Sequence, residues 1–130
     1  MRKIYVLFAL VLVSAIAYAA DPMKLLWHGP MVQNGVTLDM RVYVGPIERR
    51  SDDVRAVAVH AVTRNAALHI SGVADVVEVF ECAEKQVQNE NATFTYTMNG
   101  QTSTSGPATS PITDVALDTG DQKVFAYACE

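Results

Sequence analysis

The chain has 130 residues, of which 10 are basic and 14 acidic, and its formal net charge is −4. This length supports one domain and argues against a multidomain protein. The acidic balance argues against nucleic-acid binding, because a phosphate-binding surface needs clustered Lys and Arg. The basic pair Arg49-Arg50 is followed by Asp52-Asp53. We therefore interpret this cluster as a solvated turn.

The amino terminus has the three parts of a secretory signal peptide. It starts with the basic residues Arg2 and Lys3, and an unbroken apolar run follows, Ile4–Val13. Small residues then offer signal peptidase a site, and we predict cleavage after Ala19, which defines residues 1–19 as the signal peptide. An uncleaved anchor is the alternative, but the apolar run is shorter than the roughly 20 residues that cross a bilayer.

The predicted mature domain is residues 20–130, with a formal charge of −6 because cleavage removes Arg2 and Lys3. A lipoprotein would carry a cysteine directly after the cleavage site, and here Ala20, Asp21 and Pro22 stand there. We therefore expect neither a lipid anchor nor stable membrane insertion. The expected location is the periplasm, or the medium or cell surface after secretion.

Both cysteines, Cys82 and Cys129, lie in the predicted mature domain. An oxidising compartment makes a disulfide the default for such a pair, and the spacing is not the C-x-x-C of redox or zinc sites. In the chain-entropy model, closing a separation of 47 residues stabilises the fold by about 4 kcal/mol.

Strand patterns begin shortly after the predicted cleavage site. We predict a first strand at Leu25–His28, closed by Gly29-Pro30, and a turn at Asn34-Gly35. Leu38–Val44 alternates apolar with polar residues, the period of a strand with one buried face, and Gly45-Pro46 is expected to end it.

The middle of the chain predicts two further strands. Val54–Thr63 is rich in valine, which favours a central strand, although its alanines leave a helix as the alternative. Residues 65–71 are weakly patterned and are expected to form a loop or a single helical turn. Gly72–Cys82 is the next strand, in which Phe80 and Cys82 share a face.

A hairpin is predicted next. Thr93–Thr97 alternates β-branched with aromatic residues, and Asn99-Gly100 tolerates the positive φ angles of a type I′ turn. The partner strand is expected at 101–104, and Ser105–Pro111 is a loop by composition.

The last residues change to a helical period. Thr119–Gln122 fits a capping box, and an apolar stripe of a short helix follows: Val124, Phe125, Ala128 and Cys129. A helix this short is marginal alone. A bond from Cys129 to Cys82 would anchor it on a strand.

Residues with catalytic or ligating chemistry form no standard constellation. They include His28, His60 and His69, Ser103 and Ser105, and the carboxylates Asp52, Asp53, Glu81 and Glu84. Zinc spacing, a nucleophile elbow and a Gly-rich phosphate loop are absent from the sequence, although His60 and His69 could approach across a sheet. We predict no catalytic, cofactor-binding or metal-binding residue and no enzymatic activity.

Several motifs in this order resemble the bacterial surface-adhesin protein E family. They are Tyr43-Val44-x-Pro46, the segment Val79–Lys85 (VFECAEK) and a cysteine near the carboxyl end, Cys129. The likeness covers roughly residues 27–130. It implies an α+β domain: an antiparallel sheet of about six strands with a C-terminal helix on its concave face, tethered there by a disulfide between Cys82 and Cys129.

The resemblance also implies a function. In the founding member, a lipid-anchored domain binds host extracellular-matrix and serum proteins, and the missing lipidation cysteine leaves this chain without that means of surface retention. We predict a non-enzymatic, exported binding domain of the bacterial envelope, adhesin-like if exposed, with a host matrix or envelope protein as partner. The alternative is a small periplasmic enzyme or enzyme inhibitor. An exposed edge strand would also allow a homodimer.

Overall fold

The computed structural model describes residues 23–116 and 120–130. The predicted signal peptide and Thr119 of the predicted capping box lie outside these ranges. The elements in chain order are β1 Lys24–Gln33, β2 Val36–Arg49, β3 Val54–Asn65, β4 Ile70–Glu81, β5 Gln86–Met98, β6 Gln101–Ala108, β7 Thr113–Asp114 and α1 Gly120–Cys129. No helix in the described ranges is long and apolar enough to cross a membrane.

Strands β1 to β6 form one antiparallel sheet in which sequence neighbours are also spatial neighbours. The short β7 pairs with the first residues of β5. Two of the hairpins turn at Asn34-Gly35 and Asn99-Gly100, where all four residues have φ between 51° and 80°. Asn and Gly tolerate this left-handed region best. Both predicted turns are confirmed, and so is the α+β class, an antiparallel sheet of about six strands with a C-terminal helix.

Both predicted Gly-Pro strand ends are wrong. β1 continues through Gly29-Pro30 to Gln33. Proline is tolerated here because β1 is an edge strand, so its backbone has a hydrogen-bonding partner strand on one side only. β2 continues through Gly45-Pro46, where its pairing with β3 is interrupted by a bulge between Val44 and Ile47. A bulge absorbs a residue that cannot join the ladder.

Two smaller predictions also change. Residues 105–108, predicted as loop, belong to β6, whose pairing with β5 shifts register between Ala92 and Phe94. Residues 66–69 form the predicted turn, but Ile70 and Ser71 already belong to β4. The strand interpretation of 54–63 is confirmed, because β3 covers it.

Helix α1 lies on one face of the sheet, which we call the helix face. Its side chains Val124, Phe125 and Ala128 are buried, as the predicted stripe requires. They form the core with sheet residues of the same face: Val42, Val44, Val57, Val59, Phe80 and Val87. The ring of Phe125 meets that of Phe80 edge to face, with centroids 5.7 Å apart. The prediction that this face is the concave one stays a prediction.

The carboxyl end of α1 is held by several contacts. A disulfide joins Cys129 to Cys82, with Cα atoms 5.6 Å apart, and the Tyr127 hydroxyl donates to the Gly45 carbonyl at 3.1 Å. Cys82 itself is fixed, because its N–H donates to the Asp53 carbonyl at 2.9 Å. The disulfide therefore ties a short helix to a well-supported part of the sheet.

Loss of the disulfide should destabilise the domain strongly. We expect Cys129→Ser to lower the free energy of unfolding by about 4 kcal/mol and the melting temperature by about 15–25 °C. Circular dichroism melts of the mature domain measure this. Cys82→Ser should give the same loss and the double variant no further loss, whereas unchanged melting of either single variant would show that the bond does not stabilise the fold.

Candidate functional site

Helix α1 leaves part of the helix face uncovered. The helix begins beside Met40, whose terminal methyl is 3.7 Å from the position of a Cβ built on Gly120, and it ends near Gly45. Beyond Met40, towards the 34–35 and 99–100 turns, large apolar side chains remain solvent-exposed: Phe94 by 53%, Tyr96 by 38% and Met98 by 44%. Single exposed apolar residues are normal on a protein surface, but three on one strand form an apolar patch, which is a feature of interaction sites.

Two adjoining chambers occupy this region, and we call them together the groove. The outer chamber, of about 430 Å³, is lined by side chains that include Met31, Thr63 and Tyr96. The inner chamber, of about 240 Å³, lies at the start of α1 and is lined by Glu78, Asn89 and Asp121, among others. Four residues line both chambers: Met40, Ala61, Ala74 and Phe94. The groove is therefore continuous and largely apolar, with a polar inner end.

Small residues make room for the groove. Ala61 and Ala74 face each other across β3 and β4, and Thr63 faces Gly72. A Cβ added at Gly72 would lie 2.7 Å from the Thr63 Oγ1 atom, so a larger residue there would require Thr63 to move. The floor of the groove is thus set by residues whose side chains are too short to fill it.

A bulge in β5 brings the two ends of the groove to the same face. Residues that are an odd number apart normally point to opposite faces of a strand, yet Asn89 and Phe94 both line the helix face. The pairing of β4 with β5 shifts between Asp75 and Val77, and Asn91 there has a φ of 52°. The extra residue reverses the alternation, as a β-bulge does.

The inner chamber contains a buried carboxyl group. Glu78 is only 5% exposed and stands opposite Asn89 in the register of β4 and β5. Burial raises its pKa to about 8, with further contributions from the charge of Asp121 and a hydrogen bond with that side chain. Glu78 is therefore mainly protonated at neutral pH and donates this hydrogen bond to the Asp121 carboxylate.

Two polar atoms of this chamber lack partners. Glu78 Oε2 and Asn89 Oδ1 are buried and make no hydrogen bond within the described residues. Buried polar atoms are normally satisfied, so each exception calls for an explanation. Together with the Asp121 carboxylate, these atoms give the inner end of the groove three hydrogen-bond acceptors.

The candidate residues weighed from the sequence lie elsewhere. His28 and His60 pair with Asp39 and Asp75 at 2.7 Å and 2.6 Å, on the face opposite α1, and His69 sits in the turn between β3 and β4. These histidines do not form a joint site, and the described ranges hold no cluster of three metal-ligating side chains.

The remaining predicted candidates are also dispersed. Ser103 and Ser105 are exposed on the edge strand β6. The Asp52 carboxylate accepts from Arg49 at 3.0 Å, and that of Asp53 accepts from the Ala83 N–H at 3.1 Å, which is a structural use of both side chains. Neither Glu81 nor Glu84 lines the groove.

Sequence reasoning missed Glu78 and Asn89. Glu78 did leave a signal, because it falls on the same alternation as Val76 and Phe80 and so places an acid on a face that is otherwise apolar. Asn89 left none, since its place opposite Glu78 follows from the register of the β4–β5 hairpin, which the sequence does not show.

No known protein family, curated protein or solved structure matches this chain significantly. We therefore infer the function from the geometry of the groove.

The buried carboxyl predicts a pH-dependent stability. Its pKa in the folded protein, about 8, lies above the ordinary value of 4.5, so the folded state binds more protons than the unfolded state between these values. Stability should consequently fall as pH rises from about 4.5 to about 8, by at most about 5 kcal/mol from this group. Denaturant unfolding across this range measures the effect.

Glu78→Gln should flatten this pH dependence and stabilise the protein at the upper end, because the amide carries no charge to bury. Glu81→Gln, an isosteric change on the same strand outside the groove, is the matched control and should keep the native profile. The assignment of this pH dependence to Glu78 would be contradicted if the stability of the native protein and of Glu81→Gln stayed level or rose from about pH 4.5 to about pH 8. It would also be contradicted if Glu78→Gln gave the same profile as these two proteins.

Proposed function

We propose that this chain is an exported, non-enzymatic binding domain of the bacterial envelope and that its ligand places an apolar chain in the groove. The observation that supports this is the continuous apolar channel beside Met40 and Phe94, open to solvent and ending at unpaired polar atoms. Binding sites for small ligands commonly combine apolar walls with a few polar groups that fix orientation. The two chambers have the size of such sites.

The scaffold suits binding because the groove walls are fixed. Its floor consists of three central strands, β2 to β4, and its inner end is closed by α1, which the disulfide holds in place. A preorganised site binds without the entropic cost of ordering its walls. Export fits the same picture, since a disulfide persists in an oxidising compartment.

Filling the groove tests this function. Nile red, a neutral apolar dye, should bind the mature domain saturably with increased fluorescence. Ala61→Leu narrows both chambers and should weaken this binding about tenfold, because the loss of about 60 Å² of apolar contact costs about 1.5 kcal/mol. Ala58→Leu is the control: Ala58 is on the same strand, exposed and on the opposite face.

The control variant should bind the dye as the native protein does. Absence of saturable binding, or equal affinity in Ala61→Leu and Ala58→Leu, would remove the groove as the binding site. Melting curves of both variants show whether either substitution has changed the fold.

The likeness to the surface-adhesin protein E family supplies a more specific form of this proposal, binding of host matrix proteins. Purified mature domain should then bind immobilised vitronectin or laminin saturably at micromolar concentration or below, measured by surface plasmon resonance. The reduced Cys129→Ser variant is a control for dependence on the fold. If neither matrix protein binds, the adhesin form is rejected and the broader binding role is unaffected.

A small periplasmic enzyme is the second candidate, and Glu78 is the observation that favours it. A carboxyl that stays protonated at neutral pH beside a second carboxyl group, that of Asp121, resembles the arrangement of a general acid and its partner. Turnover of chromogenic glycosides or esters that Glu78→Gln abolishes would support catalysis. The apolar lining of most of the groove makes binding the better-supported function.

A further inference from the structure

The inner chamber is built to accept hydrogen bonds. Glu78 Oε2 and Asn89 Oδ1 have no partner within the described ranges, and the Asp121 carboxylate faces the same chamber. Among the described residues that line either chamber there is no Lys, Arg or His. Three acceptors that share at least one negative charge, with no cation beside them, are complementary to a positively charged donor.

The side chains next to these acceptors are apolar. Met40, Ala61, Ala74 and Phe94 line both chambers, so a group held at Glu78 and Asn89 would continue directly into the outer chamber. A ligand that fits both ends must carry its charge at one end of an aliphatic chain.

We propose that the groove binds a primary alkylammonium, with its –NH₃⁺ group between Glu78, Asn89 and Asp121 and its chain along Met40 and Phe94. An ammonium donates three hydrogen bonds and so matches the three acceptors, whereas a hydroxyl donates one. The charge-assisted bonds to carboxylates are the stronger kind. This inference rests on the proposed function, since it names the ligand class for the same groove.

An anionic ligand fits less well, although the chamber lies at the start of a helix. Helix N-termini attract anions, but the first turn of α1 already carries Asp121. The Asp121 carboxylate in this turn would repel a second anion. The carboxyl of Glu78 beside it adds no positive charge.

Binding of the ammonium is coupled to the ionisation of Glu78. A cation at Oε2 favours the carboxylate form, so Glu78 releases its proton to solvent as the ligand binds. Asp121 is the titratable group that faces Glu78 from α1; across β3 and β5 its partners are Val57 and Asn89, which do not titrate. Affinity should therefore increase with pH until Glu78 is ionised in the free protein, near pH 8.

Isothermal titration calorimetry with four ligands of one chain length tests the proposal: n-octylammonium, 1-octanol, octanoate and octyltrimethylammonium. The mature domain should bind n-octylammonium at least about tenfold more tightly than the other three, the effect of one charge-assisted hydrogen bond. Octyltrimethylammonium separates charge from donation, because it is cationic but has no N–H. Between about pH 6 and pH 8, affinity for n-octylammonium should rise with release of up to one proton.

Two isosteric variants localise the effect. Glu78→Gln should reduce n-octylammonium affinity about tenfold and abolish its pH dependence while 1-octanol binding is retained. Glu81→Gln should behave as the native protein. Retained 1-octanol binding shows that Glu78→Gln is folded with an intact groove.

The outcomes separate this inference from the proposed function. Equal affinity for n-octylammonium and 1-octanol, or an unchanged preference in Glu78→Gln, overturns the ammonium site and leaves the apolar groove standing. Failure of all four ligands and of Nile red to bind overturns both.

The ammonium group has two possible sources, a free amine or a lysine side chain. A Leu-Lys-Leu peptide and its lysine-acetylated form distinguish them in a parallel titration. Binding of the unmodified peptide alone assigns the site to lysine.

Discussion

A short helix has to cover one face of a much longer sheet, and the groove is a consequence of that mismatch. Ten residues of α1 extend about 15 Å, whereas the fourteen residues of β2 extend about 45 Å. Along β2 the helix covers the stretch from Met40 to Gly45. The remaining helix-face side chains of the long strands cannot be buried within the described residues, and they form an apolar surface on which a ligand can lie.

The position of the helix decides which part of the face stays open. Phe125 packs against Phe80, and Cys129 is bonded to Cys82 at the end of β4, so the carboxyl end of α1 is fixed at one end of the sheet. Its amino end then falls in the middle of the face, beside Met40. This brings Asp121 next to Glu78 and places the polar end of the groove where the covered and open parts meet. The disulfide thus holds in place the helix that contributes Asp121 to the site.

Local sequence signals predicted most of the sheet. Asn34-Gly35 and Asn99-Gly100 identified two hairpins, because their backbone preference requires no tertiary support. Alternation identified β2, and the apolar stripe identified α1. The Gly-Pro predictions failed because whether a proline ends a strand depends on its neighbours: Pro30 is on an edge, and Pro46 is at a bulge. Neither fact can be read from the residues themselves.

The candidate site was less predictable than the fold. An acid at position 78 on an apolar face could have been noticed, but its protonation depends on burial by α1, which only the tertiary structure supplies. Asn89 stands opposite Glu78 because of the register of the β4–β5 hairpin, whereas Phe94 reaches the same face only because of the bulge near Asn91. A one-residue shift in a strand reverses every side chain beyond it, and the sequence between Gln86 and Met98 does not show where this shift occurs.

The bulge at Asn91 decides which side chains of β5 form the groove wall. Beyond it, β5 has Phe94, Tyr96 and Met98 on the helix face and Thr93, Thr95 and Thr97 on the other. If the bulge did not form, the register that starts at the β4–β5 turn would continue unchanged, and the three threonines would take the helix face in place of the apolar side chains. The same β5 sequence therefore carries two different walls, one apolar and one of hydroxyl groups, and the bulge selects the apolar one for the groove.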